Sequence, residues 1–123
     1  MAEDAKILID RAARAFLDEV PALKPLTLVV GIDLHGRGDT QQFRLQLPEL
    51  EVTKDIGADS RIRLDMRREF FNAMVEHGAR VADWREAFQH GHAKATGVEQ
   101  YMRLIINVVE RQEERNRTRK ARR

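Results

Sequence analysis

The residues best suited to metal binding are three histidines in the second half of the chain. His90 and His92 lie two residues apart, so in a strand both side chains would point the same way, as a pair of metal ligands does. His77 precedes them near the end of a predicted helix. The chain has no cysteine, and no third histidine or carboxylate lies at a recognisable metal spacing. We therefore predict no metal site and no cofactor.

Nucleophilic or acid–base catalysis has little support in the sequence. Ser60 is the only serine, and its neighbours do not resemble a nucleophile elbow. Asp33 and His35 share one side of a predicted strand, but an acid–base pair also needs a third group and a substrate cleft. The glycines of residues 31–38 lack the lysine and hydroxyl residue that end a phosphate-binding loop. We therefore predict that the chain is not an enzyme.

Length and composition favour one globular domain with short extensions. The chain has 123 residues, of which 42% are hydrophobic, which is enough for one core. No apolar run approaches the ~18 residues of a membrane-spanning helix. The acidic start does not resemble a secretory signal, and the lack of cysteine is typical of the cytoplasm. We therefore expect a cytoplasmic protein.

The positive charge is concentrated at the end of the chain. Residues 111–123 hold seven basic and two acidic residues, a net charge of +5, whereas residues 1–110 hold fifteen and eighteen, a net charge of −3. The basic residues that could contact an anionic membrane surface are Arg115, Arg117, Arg119, Lys120, Arg122 and Arg123. A solvated, frayed extension is the alternative. Nucleic acid is the weakest partner because no aromatic residue interleaves the arginines for base stacking.

Hydrophobic spacing predicts the order helix, four strands, two helices, strand, helix. The predicted ranges are a helix at 2–20, strands at 26–35, 41–47, 50–54 and 61–66, helices at 67–78 and 81–91, a strand at 92–96, and a final helix after 97. Strands followed by helices favour an α+β sheet that helices cover on one face. Polar side chains alternate with apolar ones along the strands, which predicts that the other face is wet.

The last helix has an unusually wide apolar face. Its main stripe consists of Val98, Tyr101, Met102, Ile105, Val108 and Val109. Leu104 and Ile106 extend this stripe beyond the ~100° that docks a helix on a core. The extra width requires a second partner, which is another part of the protein, a lipid, a protein partner or a second copy of the chain.

Several anchor residues resemble those of the sterol carrier protein family. They are an acidic residue, Asp59, before the strand at 61–66, a helix with paired phenylalanines, and the block Ala87, Phe88, Gly91 and Gly97. The resemblance covers residues 20–112. It implies a five-stranded, mainly antiparallel sheet with helices on one face and an apolar pocket between the two layers. It divides the chain into an N-terminal helix at 1–20, a lipid-binding domain at 21–112 and a basic tail at 113–123.

The resemblance also implies a function, which is to bind or carry a fatty acyl group, a sterol or another lipid. The pocket residues that we expect are Phe70, Phe71, Met74, Val75, Trp84, Phe88, Tyr101, Met102, Ile105, Ile106 and Val109. The same stripes would also suit an ordinary core. Two alternatives remain open at this point: a protein-interaction or homodimer module that uses the last helix without a ligand, and contact of the basic tail with an anionic membrane or nucleic acid.

Overall fold

The computed structural model describes residues 2–121, and this part of the chain forms an α+β fold with one sheet and four α-helices. The elements are α1 (Ala2–Glu19), a 3-10 turn (Pro21–Leu23), β1 (Leu28–His35), β2 (Thr40–Leu47), β3 (Glu51–Thr53), β4 (Ile62–Arg67), α2 (Arg68–Glu76), α3 (Val81–Gln89), β5 (Ala93–Gly97) and α4 (Glu99–Ala121). The predicted order is confirmed. The helix α4 continues into the basic stretch, up to Ala121.

The five strands form one mixed sheet in the order β3-β2-β1-β4-β5. All neighbouring strands are antiparallel except β1 and β4, which are parallel. In the centre of the sheet, Ile32 of β1 lies opposite Phe43 of β2 and Leu64 of β4. The five-stranded, mainly antiparallel sheet that the sequence predicted is therefore confirmed.

The helices cover the apolar face of the sheet, and the main core lies between the two layers. Its buried members, which we call the central cluster, are Ala5, Ile9, Leu28, Val30, Ile32, Leu34, Phe43, Leu45, Ile62, Met66, Phe71, Val75, Ala87 and Ala93. Leu34 is 0% exposed, and burial of such a side chain contributes about 1.5–3 kcal/mol to stability. Ala5 and Ile9 belong to α1, so the first helix is part of this core.

A second apolar cluster joins the two ends of the described chain. This end cluster consists of Leu17, Val20, Leu23, Val81 and Val109. The first three residues come from α1 and the link after it, whereas Val109 comes from α4. Val109, with Ile105 and Val108 packed beside it, therefore closes the last helix over the start of the domain.

The opposite face of the sheet is less wet than its polar residues predicted. Asp33 in β1 is only 8% exposed, because Arg63 of β4 donates a 2.7 Å hydrogen bond from Nη1 to its Oδ1. His35 does not pair with Asp33. Its Nε2 lies 2.7 Å from Oδ2 of Asp65, and its Nδ1 lies 2.9 Å from Oγ1 of Thr40. Long polar side chains thus cover β1 on this side, while the helices cover the other side.

Candidate functional site

A cleft of about 470 Å³ opens between α2 and α3, and we call it the helix cleft. Each helix and the residue that caps its end contribute positions i, i+3, i+4 and i+7, which are Phe70, Ala73, Met74 and the cap His77 for α2, and Asp83, Glu86, Ala87 and the cap His90 for α3. Residues at this spacing lie on one side of a helix, so the two stripes face each other across the cleft. The cleft is open to solvent along one side, since six of its ten lining residues are exposed.

The helix cleft has an apolar base and a polar rim. Phe70 and Met74 are half-buried and Ala87 is buried, and all three pack in or against the central cluster. At the rim, the ring of His92 stacks on Phe70 with 5.2 Å between the ring centroids. Nε2 of His90 lies 3.7 Å from Oε1 of Glu86. The cleft therefore offers an apolar surface below and groups that donate or accept hydrogen bonds above.

His90 and His92, the histidine pair that the sequence singled out, both lie on the rim of the helix cleft. Among the described residues, no three histidine, cysteine or acidic side chains are grouped so that they could hold a metal ion. His90 and His92 approach each other only to 6.4 Å between ring centroids.

A second cleft, of about 330 Å³, lies between the end of α1 and the turn from α2 to α3. Glu19, one of its lining residues, accepts a 2.7 Å hydrogen bond from the backbone N–H of Val81 and an ion pair from Nε of Arg80. The hydrogen bond to Glu19 raises the pKa of Arg80 above its ordinary value. Because Val81 is the first residue of α3, this carboxylate fixes the start of α3 to the end of α1.

The structure brings ten of the eleven predicted pocket residues into or against the two apolar clusters. Phe70 and Met74 line the helix cleft; Trp84 lines the second cleft; Phe71, Val75 and Val109 are buried; Phe88, Tyr101, Met102 and Ile105 are half-buried; and Ile106 is 52% exposed. Ile106 lies apart from both clusters.

Sequence reasoning missed the small and polar residues of the helix cleft. Ala73 and Ala79 line it, as do the acidic residues Asp83 and Glu86. The signal was present as the same i, i+3, i+4, i+7 spacing in two consecutive helices. Large apolar side chains at this spacing predict the core, whereas the alanines are the residues that leave space between the helices.

The end of α4 carries the basic residues that the sequence assigned to a charged partner. Arg115 and Arg117 are exposed on the helix. The side chains of Arg119 and Lys120, and the whole of Arg122 and Arg123, lie outside the described residues. Within the described part of the chain, no helix has the length and apolar character needed to cross a bilayer.

Comparison with known proteins gives a consistent fold. No protein-family model and no curated protein matches the chain. Among solved structures, Sterol Carrier Protein 2 Like 2 from Aedes aegypti is 18% identical with a TM-score of 0.60, over 88% of this chain and 96% of that chain. The palmitated form from the same organism is 17% identical with a TM-score of 0.56, over 81% and 91%. A ubiquinone synthesis protein, UbiJ-SCP2, is 14% identical with a TM-score of 0.55, over 90% and 97%. The chain therefore has the fold of sterol carrier protein 2, as its anchor residues predicted.

Proposed function

We propose that this chain binds and carries a lipid whose apolar chain enters the helix layer through the helix cleft. The observation that carries the proposal is the sterol carrier protein 2 fold, which extends over most of the chain. One of the solved structures with this fold is that of a palmitated protein. A fold alone does not define a ligand. The proposal therefore also depends on the chemistry of the cleft.

The base of the helix cleft suits an apolar chain. The tail lies on Phe70, Met74 and Ala87 and continues between half-buried side chains such as Phe88 and Met102. Methionine has a flexible side chain that adapts to ligands of different shape. Lipid binding thereby buries apolar surface that faces water in the free protein, which gives the main driving force.

The rim of the helix cleft favours a headgroup that is polar but not strongly charged. His77, His90 and His92 can donate or accept hydrogen bonds, whereas Asp83 and Glu86 disfavour a second negative charge beside them. A sterol hydroxyl, a protonated carboxyl group and a quinone carbonyl all satisfy this requirement. One structural neighbour is a ubiquinone synthesis protein, so quinones with an apolar tail belong among the ligands to test.

The chain divides, in this proposal, into the three parts that the sequence suggested. Residues 21–112 bind the lipid, residues 1–20 form a helix that completes the core, and residues 113–123 form a basic tail. Two observations support this role for the first helix. Its Ala5 and Ile9 lie in the central cluster, and its Glu19 lines the cleft next to α3.

Substitution of Ala73 tests the site directly. Ala73 is exposed and lines the helix cleft, so Ala73→Glu places a carboxylate in the path of the apolar chain without disturbing the core. We expect the affinity for a fluorescent fatty acid to fall by roughly tenfold or more. The emission of Trp84, the only tryptophan, gives a second readout, because Trp84 follows the cleft residue Asp83 on α3 and packs against the same central cluster as Phe70 and Met74.

The matched control is Ala82→Glu, which makes the same change at an exposed position of α3 that does not line the helix cleft. We expect this variant to bind the probe as the unchanged protein does. Equal losses in both variants would remove the helix cleft from the proposal. Failure of palmitate, a sterol and a quinone to displace the probe, together with no copurifying lipid by native mass spectrometry, would remove lipid binding altogether.

The alternative function, a homodimer formed through the last helix without a ligand, makes a different prediction. It predicts that the molar mass measured by light scattering rises to that of two chains as the protein concentration increases. The molar mass should fall back to that of one chain when Leu104 or Ile106 is replaced by a polar residue. Both side chains are exposed in the single chain, at 45% and 52%. Lipid binding by a protein that stays monomeric at all concentrations would exclude this alternative.

A further inference from the structure

The helix α4 has two flanks of different chemistry. One flank carries acidic residues that are already paired: Glu113 lies 2.5 Å and Glu110 lies 3.8 Å from Arg85 of α3, and Glu99 lies 2.5 Å from Arg103. Its charges are therefore largely neutralised by their neighbours. An electrostatic partner of α4 would find little net charge on this flank.

The other flank combines apolar and basic residues, and we call it the docking stripe. It consists of Tyr101, Leu104, Val108, Arg111 and Arg115, whose alternating spacing of three and four keeps them on one side of the helix. Tyr101 and Val108 are half-buried and pack at its edge against the central and end clusters. Leu104 is 45% exposed, and both arginines are exposed. Neither arginine forms an ion pair with another described side chain. The stripe thus has one exposed apolar side chain, Leu104, and two exposed arginines, of which Arg111 has Glu114 three residues away on the helix.

The basic end of the docking stripe projects from the body of the protein. Val109 is buried in the end cluster, whereas every residue from Glu114 to Thr118 is exposed. The chain remains helical to Ala121, so Arg111 and Arg115 lie on the same helix as Tyr101 and Leu104. A helix rises about 1.5 Å per residue, so the docking stripe extends over roughly 20 Å from Tyr101 to Arg115.

We propose that the docking stripe binds the surface of an anionic lipid bilayer. Leu104 and the half-buried Tyr101 lie at the boundary of headgroups and acyl chains, while Arg111 and Arg115 contact lipid phosphates. This inference does not depend on a lipid in the helix cleft. It gives the exposed Leu104 a partner, whereas Ile106, on the opposite flank, stays exposed.

Two other partners fit the docking stripe less well. A nucleic acid would use the arginines but would gain nothing from Leu104, because its phosphates are read by charge alone. A second copy packed in parallel would place Arg111 and Arg115 against the same residues of its twin, where like charges repel, and an antiparallel copy would cover them with Tyr101 and Leu104, which supply no counter-charge. An anionic bilayer has both an apolar layer and negative charge, and it therefore complements the whole stripe.

The electrostatic part is tested with vesicles of phosphatidylcholine, with and without phosphatidylglycerol. We expect binding only to the anionic vesicles, with an affinity that falls as salt is added. The double variant Arg111→Gln, Arg115→Gln should bind roughly 25-fold more weakly, at about fivefold for each charge. The control Arg11→Gln, Arg61→Gln removes the same charge at two exposed positions elsewhere, and it should bind as the unchanged protein does.

The apolar part is tested by a matched pair on the same helix. Leu104 and Ile106 are 45% and 52% exposed and lie on opposite flanks, because two residues rotate a helix by about 200°. We expect Leu104→Gln to weaken vesicle binding at least fivefold and Ile106→Gln to leave it unchanged. Equal effects of the two variants, or equal binding to neutral vesicles, would overturn the proposal.

The competing partners give outcomes of their own. Binding of duplex DNA that exceeds vesicle binding and that persists in Leu104→Gln would assign the arginines to nucleic acid and overturn the bilayer. A dimer that dissociates in Leu104→Gln would assign the stripe to a second copy. A monomer that binds anionic vesicles, with Leu104 and both arginines required, supports the proposal whether or not the helix cleft holds a lipid.

Discussion

Gly91 and Gly97, two of the anchor residues that suggested the fold, have different structural reasons to be glycine. Both have positive φ angles, 78° at Gly91 and 146° at Gly97. A Cβ at Gly97 would lie 2.2 Å from the carbonyl oxygen of Arg61 and 2.8 Å from Cα of Ile62, because β5 runs directly beside β4 here. A Cβ at Gly91 would have no atom within 4 Å. Only Gly97 is therefore constrained by both backbone conformation and space.

Alanine substitutions should separate these two constraints. We expect Gly91→Ala to lower the free energy of unfolding by about 1–2 kcal/mol, the cost of a left-handed conformation. Gly97→Ala should lower it by about 3 kcal/mol or more, because β4 and β5 must also move apart. Urea unfolding followed by circular dichroism measures both values. Similar losses would show that the close approach of Gly97 to β4 has little energetic weight.

The pair of Arg44 and Asp59 should be visible in a pH titration. Arg44 donates from Nη2 and Nε to the Asp59 carboxylate at 2.8 Å and 3.0 Å, and these hydrogen bonds lower the pKa of Asp59. A lowered pKa stabilises the fold above the ordinary aspartate pKa, and this contribution is lost as the pH falls through the lowered value. In Arg44→Gln, the titration midpoint of Asp59, measured by NMR, should move up. An unchanged midpoint would contradict the pairing.

The sequence predicted the burial of individual residues correctly where the alternation of apolar and polar residues along one strand decides it. Ile32 and Leu34 were expected on the apolar side of β1, and both are buried. Asp33 was expected on a wet face and is buried. Its cover comes from Arg63, which follows it by thirty positions and reaches it only because β1 and β4 pair in parallel. Alternation within one strand contains no information about such a neighbour.

At the scale of elements, Glu19 links two helices that are distant in sequence. It accepts a hydrogen bond from the first N–H of α3, a group that has no partner within its own helix. We expect Glu19→Ala to lower the free energy of unfolding by about 1–2 kcal/mol, as loss of a helix cap does. The neighbouring Asp18 is exposed and forms only a 3.4 Å surface ion pair with Lys24. Asp18→Ala should therefore change stability by less than about 0.5 kcal/mol, and an equal effect would contradict the link.

The helices were predictable from the sequence, but the cleft between two of them was not. Apolar spacing located α2 and α3, and it placed Phe71 and Val75 on the buried side. The helix cleft depends on the direction that the chain takes between Glu76 and Val81, and on the small side chain of Ala73. Those features are set by packing against α1 and the sheet. The predicted large residues therefore lie mostly in the core, while the cleft also uses alanines and polar residues.

At the scale of the whole molecule, the basic tail and the core should be separable. The last core residue of α4 is Val109, and residues 114–118 are exposed. We expect a chain that ends at Glu113 to unfold at the same urea concentration as the full chain, because the end cluster is intact. A chain that ends at Val108 should be less stable by about 2 kcal/mol or more, since it loses a buried side chain and leaves apolar surface uncovered. Equal stability of the two truncated chains would contradict the role of Val109.

The end cluster has a consequence for the synthesis of this protein. Leu17, Val20 and Leu23 leave the ribosome well before Val81 and Val109, the two members of the end cluster that come from α3 and α4. Until these two residues emerge the native cluster is incomplete, and exposed apolar surface of this kind promotes aggregation. A nascent chain that stalls before Val109 should therefore be a good substrate for a ribosome-associated chaperone.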